Sequence, residues 1–146
     1  VQVATGTIYG VLLNDRASMQ RLGEKLSQDP YKAPPRAPIL YIKSANTFTN
    51  DGATVPVPAR PGLVQIGATI GAEIATAATR IGKQNAHQHI SGFRIVADIS
   101  LPHDSFYRPA IRERCRDGFC PISDRIDPSA GFDATHALIR VKINGQ

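Results

Sequence analysis

With 146 residues the chain has the length of one domain, enough to bury roughly two-thirds of its unfolded surface, so no covalent staple is needed to explain folding. Seventeen Lys and Arg against 12 Asp and Glu leave a formal charge of +5, which makes nucleic acid a partner to test. With no Trp and no aromatics alternating with basic residues, the stacking platform that such binding uses is missing, and nucleic acid is set aside.

In chain order, Thr7 to Leu13 is β-branched and apolar and ends at Asn14-Asp15, which favour turns and helix caps; a buried strand feeding a helix is predicted. Met19, Leu22 and Leu26 recur at helical steps between Arg16 and Ser27, with Gly23 weakening the helix. After a proline-rich stretch, Ile39 to Lys43 reads as a second strand and Ser44 to Gly52 as a loop. Leu63 to Ile74 is β-like, with glycines at 67 and 71 marking a bulge or a close backbone approach. Asn85 to Ile90 predicts one or two helical turns closed by Gly92, and Phe93 to Ile99 another buried strand. Ser100 to Ile122 reads as a long functional loop carrying an arginine cluster, Arg108, Arg112, Arg114 and Arg116. Guanidinium binds carboxylates through paired hydrogen bonds, so the cluster suits a compact carboxylate-bearing metabolite; a solvated charged face accounts for it equally well.

Ala137 to Ile143 alternates, and Asn144-Gly145 is a strong hairpin signal whose second strand would lie beyond Gln146. The expectation is a sheet continued by further sequence. Cys115 and Cys120 are too few for a disulfide framework and match neither C-x-x-C nor a zinc knuckle, which points to reduced thiols in a cytoplasmic protein. No charged leader opens the chain, and no apolar run approaches the roughly 18 residues that span a bilayer; no membrane partner is expected. His87 and His89 are two apart, which on a helix turns them away from each other, and His103 and His136 have no partner at a metal-ligand spacing. No G-x-S-x-G elbow, Walker loop or dinucleotide fingerprint occurs.

Several segments taken together are more informative: Gly10 to Asp15, Asp29-Pro30-Tyr31-Lys32-Ala33-Pro34-Pro35, Ile42-Lys43 with Asn46-Thr47, Gly67 to Ile74, the strand ending at Asp98, Phe106-Tyr107-Arg108-Pro109, and Cys115-Arg116-Asp117-Gly118-Phe119-Cys120-Pro121. In that order and spacing they resemble the fumarylacetoacetate hydrolase family, in particular the N-terminal half of its two-lobed isomerase/decarboxylase members in aromatic catabolism. The resemblance implies a mixed β-rich (α+β) fold with a rolled sheet and short helices, here one partial domain over residues 1–146, cut short at its C-terminal end. It also implies an oligomer.

Family members use Mg2+ or Mn2+ as an electron sink on a keto acid or its enol. They hold the ion with an E-x-E pair on one strand, whose two-residue spacing keeps both carboxylates on one face, and an Asp on a neighbouring strand. At the matching positions this chain has Gly67, Thr69 and Asp98. Glu73 shares their strand parity but lies ~13 Å from Thr69 at ~3.3 Å per residue, too far to substitute. The resemblance therefore implies an incomplete metal site, no cofactor held by this chain alone, and a related metal-binding lobe or subunit as partner.

Ser18 stands where hydrolytic members carry a histidine, which removes that acid/base role. Lys43 matches a family lysine at a strand end, and Arg114 stands where catalytic lobes often have lysine; arginine keeps the charge but does not donate a proton near neutral pH. The candidates are Lys43 and Asp98 for catalysis and Arg108, Arg114 and Arg116 for substrate. Two bland alternatives stand beside them: Asp98 accepting backbone N–H bonds in a turn, and Lys43 as an exposed strand-end lysine. A non-catalytic structural or carboxylate-binding lobe is the alternative for the whole chain.

Overall fold

A computed structural model describes residues 6–146. It contains two sheets and few short helices. Strand β1 (Ile8–Leu12) pairs antiparallel with β2 (Ile39–Lys43) in a separate two-stranded ribbon. The second sheet has the order β3 (Phe48–Asn50), β6 (Cys120–Ile122), β5 (Ile90–Ser100), β4 (Gln65–Ile74); β3 and β6 run parallel and the other neighbours antiparallel.

Helix α1 (Arg16–Leu22) starts where predicted, because the Asp15 carboxylate accepts the orphan backbone N–H groups of Ala17 and Ser18 at 3.3 and 2.9 Å. It ends at Gly23, with φ 43°, and the chain continues as a 3-10 turn to Ser27 that buries Leu26. Gly10 is required for a different reason. It lies opposite Tyr41 in the ribbon, and a Cβ there would clash with the phenol end of the Tyr41 side chain.

The core is small. Val96, Cys120 and Ile122 form its centre, with Ile8 and Phe48 packed against them, and Phe119 and Thr47 are fully buried beside it. On the ribbon's outer face, Tyr9, Val11, Leu40 and Ile42 are exposed; the register sets Tyr9 against Ile42 and Val11 against Leu40, so the four form one strip.

Four local expectations are corrected. Residues 44–52 are not all loop: a 3-10 turn (Ala45–Thr47) buries Thr47, whose hydroxyl donates to Ser44 O at 2.7 Å, and β3 follows. Likewise the 100–122 segment contains a short helix, α2 (Ile111–Arg114), and β6. Gly92 does not close the 3-10 segment Lys83–His89; it lies within β5, where a side chain would meet the Arg125 stem and the Ile126 carbonyl. Residues 137–143 form no strand, because they find no ladder partner among the described residues. The turn after them does form. Asn144 and Gly145 have φ 53° and 83°, and Ile143 and Gln146 exchange backbone hydrogen bonds at 2.9 and 3.1 Å.

Candidate functional site

Alternate residues of β2 face one way, so Tyr41 and Lys43 project together from the inner face of the ribbon. Both reach Asp98 on β5. Lys43 is 2% exposed, and its Nζ lies 2.7 Å from Asp98 Oδ1. It donates to the carbonyls of Ile99 (2.9 Å), Arg114 (2.9 Å) and Phe119 (3.0 Å). An ammonium has three N–H groups, and four oxygens, these carbonyls and Asp98 Oδ1, share them. Among the described residues Asp98 Oδ1 has no well-angled hydrogen-bond donor, and the Lys43 charge holds it.

The other carboxylate oxygen, Asp98 Oδ2, accepts from Tyr41 Oη and from Arg114 Nη1, each at 2.5 Å. The Arg114 guanidinium also lies over the Tyr41 ring, 4.7 Å from its centroid, and its Nε is buried without a partner among the described residues. Burial first, then the hydrogen bond to Asp98 and that residue's charge, push the Tyr41 phenol well above its ordinary 10.0. Nearby, burial pushes the Cys120 thiol up to about 11 against the opposing charge of Lys43.

The structure thus brings Lys43, Asp98 and Arg114 together. Neither bland alternative describes the geometry: Lys43 is buried, and the Asp98 carboxylate is taken by three side chains rather than by turn N–H groups. Arg108 is exposed on the loop before α2 and makes no ion pair or side-chain hydrogen bond among the described residues. Arg116 begins a turn that Gly118 (φ 73°) completes, with Phe119 N donating to Arg116 O. That turn is clamped by Asn46, which donates to Asp117 Oδ1 at 2.6 Å and accepts from Gly118 N at 3.1 Å. Ser18 belongs to the helix cap, donating to Asp15 Oδ2. Glu73 pairs with Arg94 at 2.8 Å.

Tyr41 is the member of the cluster that sequence reasoning missed. The available signal was its parity with Lys43 on a five-residue strand, together with a glycine at position 10 of the facing strand.

Gly67 is in register with Asp98, and Thr69 with Val96, so the ladder brings position 67 beside the aspartate without supplying a carboxylate. Both Asp98 oxygens face cations within 2.7 Å, and among the described residues no three His, Cys, Asp or Glu side chains converge. A hard cation needs several oxygen donors and tolerates no ammonium in its first shell, so the residues present do not fit one.

Residues 7–146 match the family described as fumarylacetoacetate (FAA) hydrolase, C-terminal. The chain belongs to the fumarylacetoacetate hydrolase family. Over 141 residues, 97% of its length, this family member is 38% identical to the 4-hydroxyphenylacetate degradation bifunctional isomerase/decarboxylase of Escherichia coli, of which it spans 32%. The homoprotocatechuate catabolism bifunctional isomerase/decarboxylase of Escherichia coli matches at the same identity and coverage. The chain therefore spans about a third of the length of these curated relatives.

Among solved structures, fumarylpyruvate hydrolase from Pseudomonas aeruginosa, in complex with Mn2+ and pyruvate, superposes with a TM-score of 0.62 at 18% identity, covering 87% of this chain and 55% of that one. That likeness shows the fold: mixed sheets with few short helices, of which this chain carries part. No helix among the described residues is long and apolar enough to cross a membrane.

Proposed function

We propose that this chain is an N-terminal lobe or subunit of an isomerase/decarboxylase of 4-hydroxyphenylacetate catabolism, acting on substrates of the 5-carboxymethyl-2-hydroxymuconate and 5-oxopent-3-ene-1,2,5-tricarboxylate type. The observation that carries this reading is the 38% identity along 97% of the chain to an Escherichia coli enzyme named for that pathway. Residues 1–146 are one partial family domain in this reading, and its own metal site is degenerate at Gly67 and Thr69. Mg2+ or Mn2+ chemistry belongs to a related lobe or subunit with an intact E-x-E, and the two assemble as an oligomer.

Within this lobe, Asp98 with Lys43, Arg114 and Tyr41 forms a polar group of net charge +1, counted as two cations and one carboxylate. That sign favours a substrate bearing several carboxylates. Lys43 acts in this reading through its charge on Asp98 and its hold on three backbone carbonyls. Arg108, Arg114 and Arg116 are the candidate carboxylate-binding groups of the substrate path.

A second reading, a non-catalytic structural or carboxylate-binding lobe, is favoured by one feature: both Asp98 oxygens are already neutralised within the protein. Assembling this chain with an E-x-E lobe and following isomerisation and decarboxylation of the two substrates separates the readings. The first expects at least one rate to fall sharply in Asp98→Asn or Arg114→Ala variants that still assemble. Unchanged rates for both substrates would leave only the second.

A further inference from the structure

The loop that turns Arg114 inward onto Asp98 places two other arginines on a different surface. Arg112, on α2, and Arg116, just after it, line a cleft of about 380 Å3, within the range of small-ligand sites. Pro56, Val57 and Pro58 also line it, together with Phe119. Neither arginine makes an ion pair or a side-chain hydrogen bond among the described residues, in contrast to Arg114 and Arg94. The carboxylate that shares the cleft, Asp117, is tied to Asn46 at 2.6 Å. Two arginines without an internal partner among the described residues thus share with the Pro56-Val57-Pro58 segment a cleft large enough for a small molecule.

We infer that this cleft is a carboxylate-binding site, in which Arg112 and Arg116 each take a carboxylate of a small di- or tricarboxylate and the Pro56-Val57-Pro58 segment packs on its carbon skeleton. A planar guanidinium matches a carboxylate with two parallel hydrogen bonds, and an arginine without an internal partner loses none by turning to a ligand. Prolines add rigidity, so little ordering is lost on binding. The cleft is held to the Asp98 cluster by the same loop, since Phe119, one of its lining residues, accepts from Lys43 through its backbone carbonyl. The inference rests on the carboxylate substrate class proposed above and names a place in this lobe where such a molecule is held: Arg116, one of the candidate arginines, together with Arg112.

Cys115 gives the site a built-in reporter. Cys115 lines the cleft and is half-buried, with Sγ donating to Ile42 O at 3.5 Å, whereas Cys120 is fully buried. Tricarballylate, a non-reacting tricarboxylate, is the probe, titrated by calorimetry into the whole chain at 0.15 M salt, with iodoacetamide alkylation of Cys115 followed by peptide mass. Saturable binding that slows Cys115 alkylation is expected. It should weaken about tenfold or more in Arg112→Ala and in Arg116→Ala but not in Arg80→Ala, which removes an exposed arginine from another loop. Equal weakening by Arg80→Ala would reveal a diffuse charge effect and overturn the proposal, as would binding that leaves Cys115 alkylation unchanged. Absence of binding would overturn it too. The turnover assay with the two pathway substrates measures the functional reading separately, because it monitors product rather than this cleft.

Discussion

Gly67 lies directly across the antiparallel ladder from Asp98, and the Cβ it lacks would come 3.4 Å from the Asp98 carbonyl oxygen. That is ordinary contact, so a side chain fits there. Titrated with Mn2+ and followed by water-proton relaxation, the unmodified chain is expected to show no saturable micromolar site, because Lys43 and Arg114 neutralise its one candidate ligand. The Gly67→Glu, Thr69→Glu double variant places two carboxylates on one strand face beside Asp98 and should bind at least about tenfold more tightly. A stoichiometric site in the unmodified chain that vanished on Asp98→Asn would overturn this account.

Removing one partner of the buried cluster should cost far more than breaking an exposed ion pair such as Arg125–Asp127. Asp98→Ala leaves the Lys43 ammonium, 2% exposed, without its counter-charge, and a loss of about 3–5 kcal/mol is expected. Lys43→Met strands three carbonyls from separate segments and should cost about 3 kcal/mol. The double variant should cost less than the two losses added, since each single change strands the other partner. Urea unfolding of the four proteins measures the coupling; strict additivity would show that the pair does not interact.

Alkaline stability follows from Tyr41 and Cys120. Both are neutral acids whose folded values are raised, Tyr41 above 10.0 and Cys120 from 9.0 to about 11, chiefly by burial. As pH rises the unfolded chain releases these protons first, so their contribution is complete below pH 9 and is lost progressively above it. The urea midpoint should fall between pH 9 and 11, and more shallowly in Tyr41→Phe combined with Cys120→Ala. An unaltered slope in that variant would exclude these groups as the cause.

Gly10→Ala tests how Tyr41 is placed. The added methyl overlaps the Tyr41 ring, which must move away from Asp98 and from under Arg114. A loss of about 1–3 kcal/mol is expected. In a Tyr41→Leu background, where no ring lies over the glycine, the same substitution should cost markedly less. Equal costs in both backgrounds, measured by thermal unfolding, would mean that the ring is not the obstacle.

The four longer strands were legible because each is a run of β-branched or apolar residues, and α1 because Asp15 is a good cap followed by helical spacing. Strands β3 and β6 were not: three residues carry no period, and they exist through a parallel pairing some seventy residues apart in the chain. Lys43, Asp98 and Arg114 were named individually from a resemblance, and their meeting depends on how ribbon, sheet and loop pack, which periodicity does not encode. Tyr41 looked like one more apolar strand residue. Its hydroxyl matters only because Asp98 stands behind it. Residues 137–143 show the opposite failure, a strand pattern without a partner to pair with among the described residues.

The apolar strip on the ribbon sets the colloidal behaviour of the isolated chain. Copies carrying +5 repel one another over about 10 Å in 0.1 M salt but only about 3 Å in 1 M salt. Tyr9, Val11, Leu40 and Ile42 then meet with little to hold them apart, and their attraction does not weaken with ionic strength. Light scattering should therefore show the chain dispersing best in dilute buffer and clustering as sodium chloride is added, the reverse of a protein whose contacts are ionic.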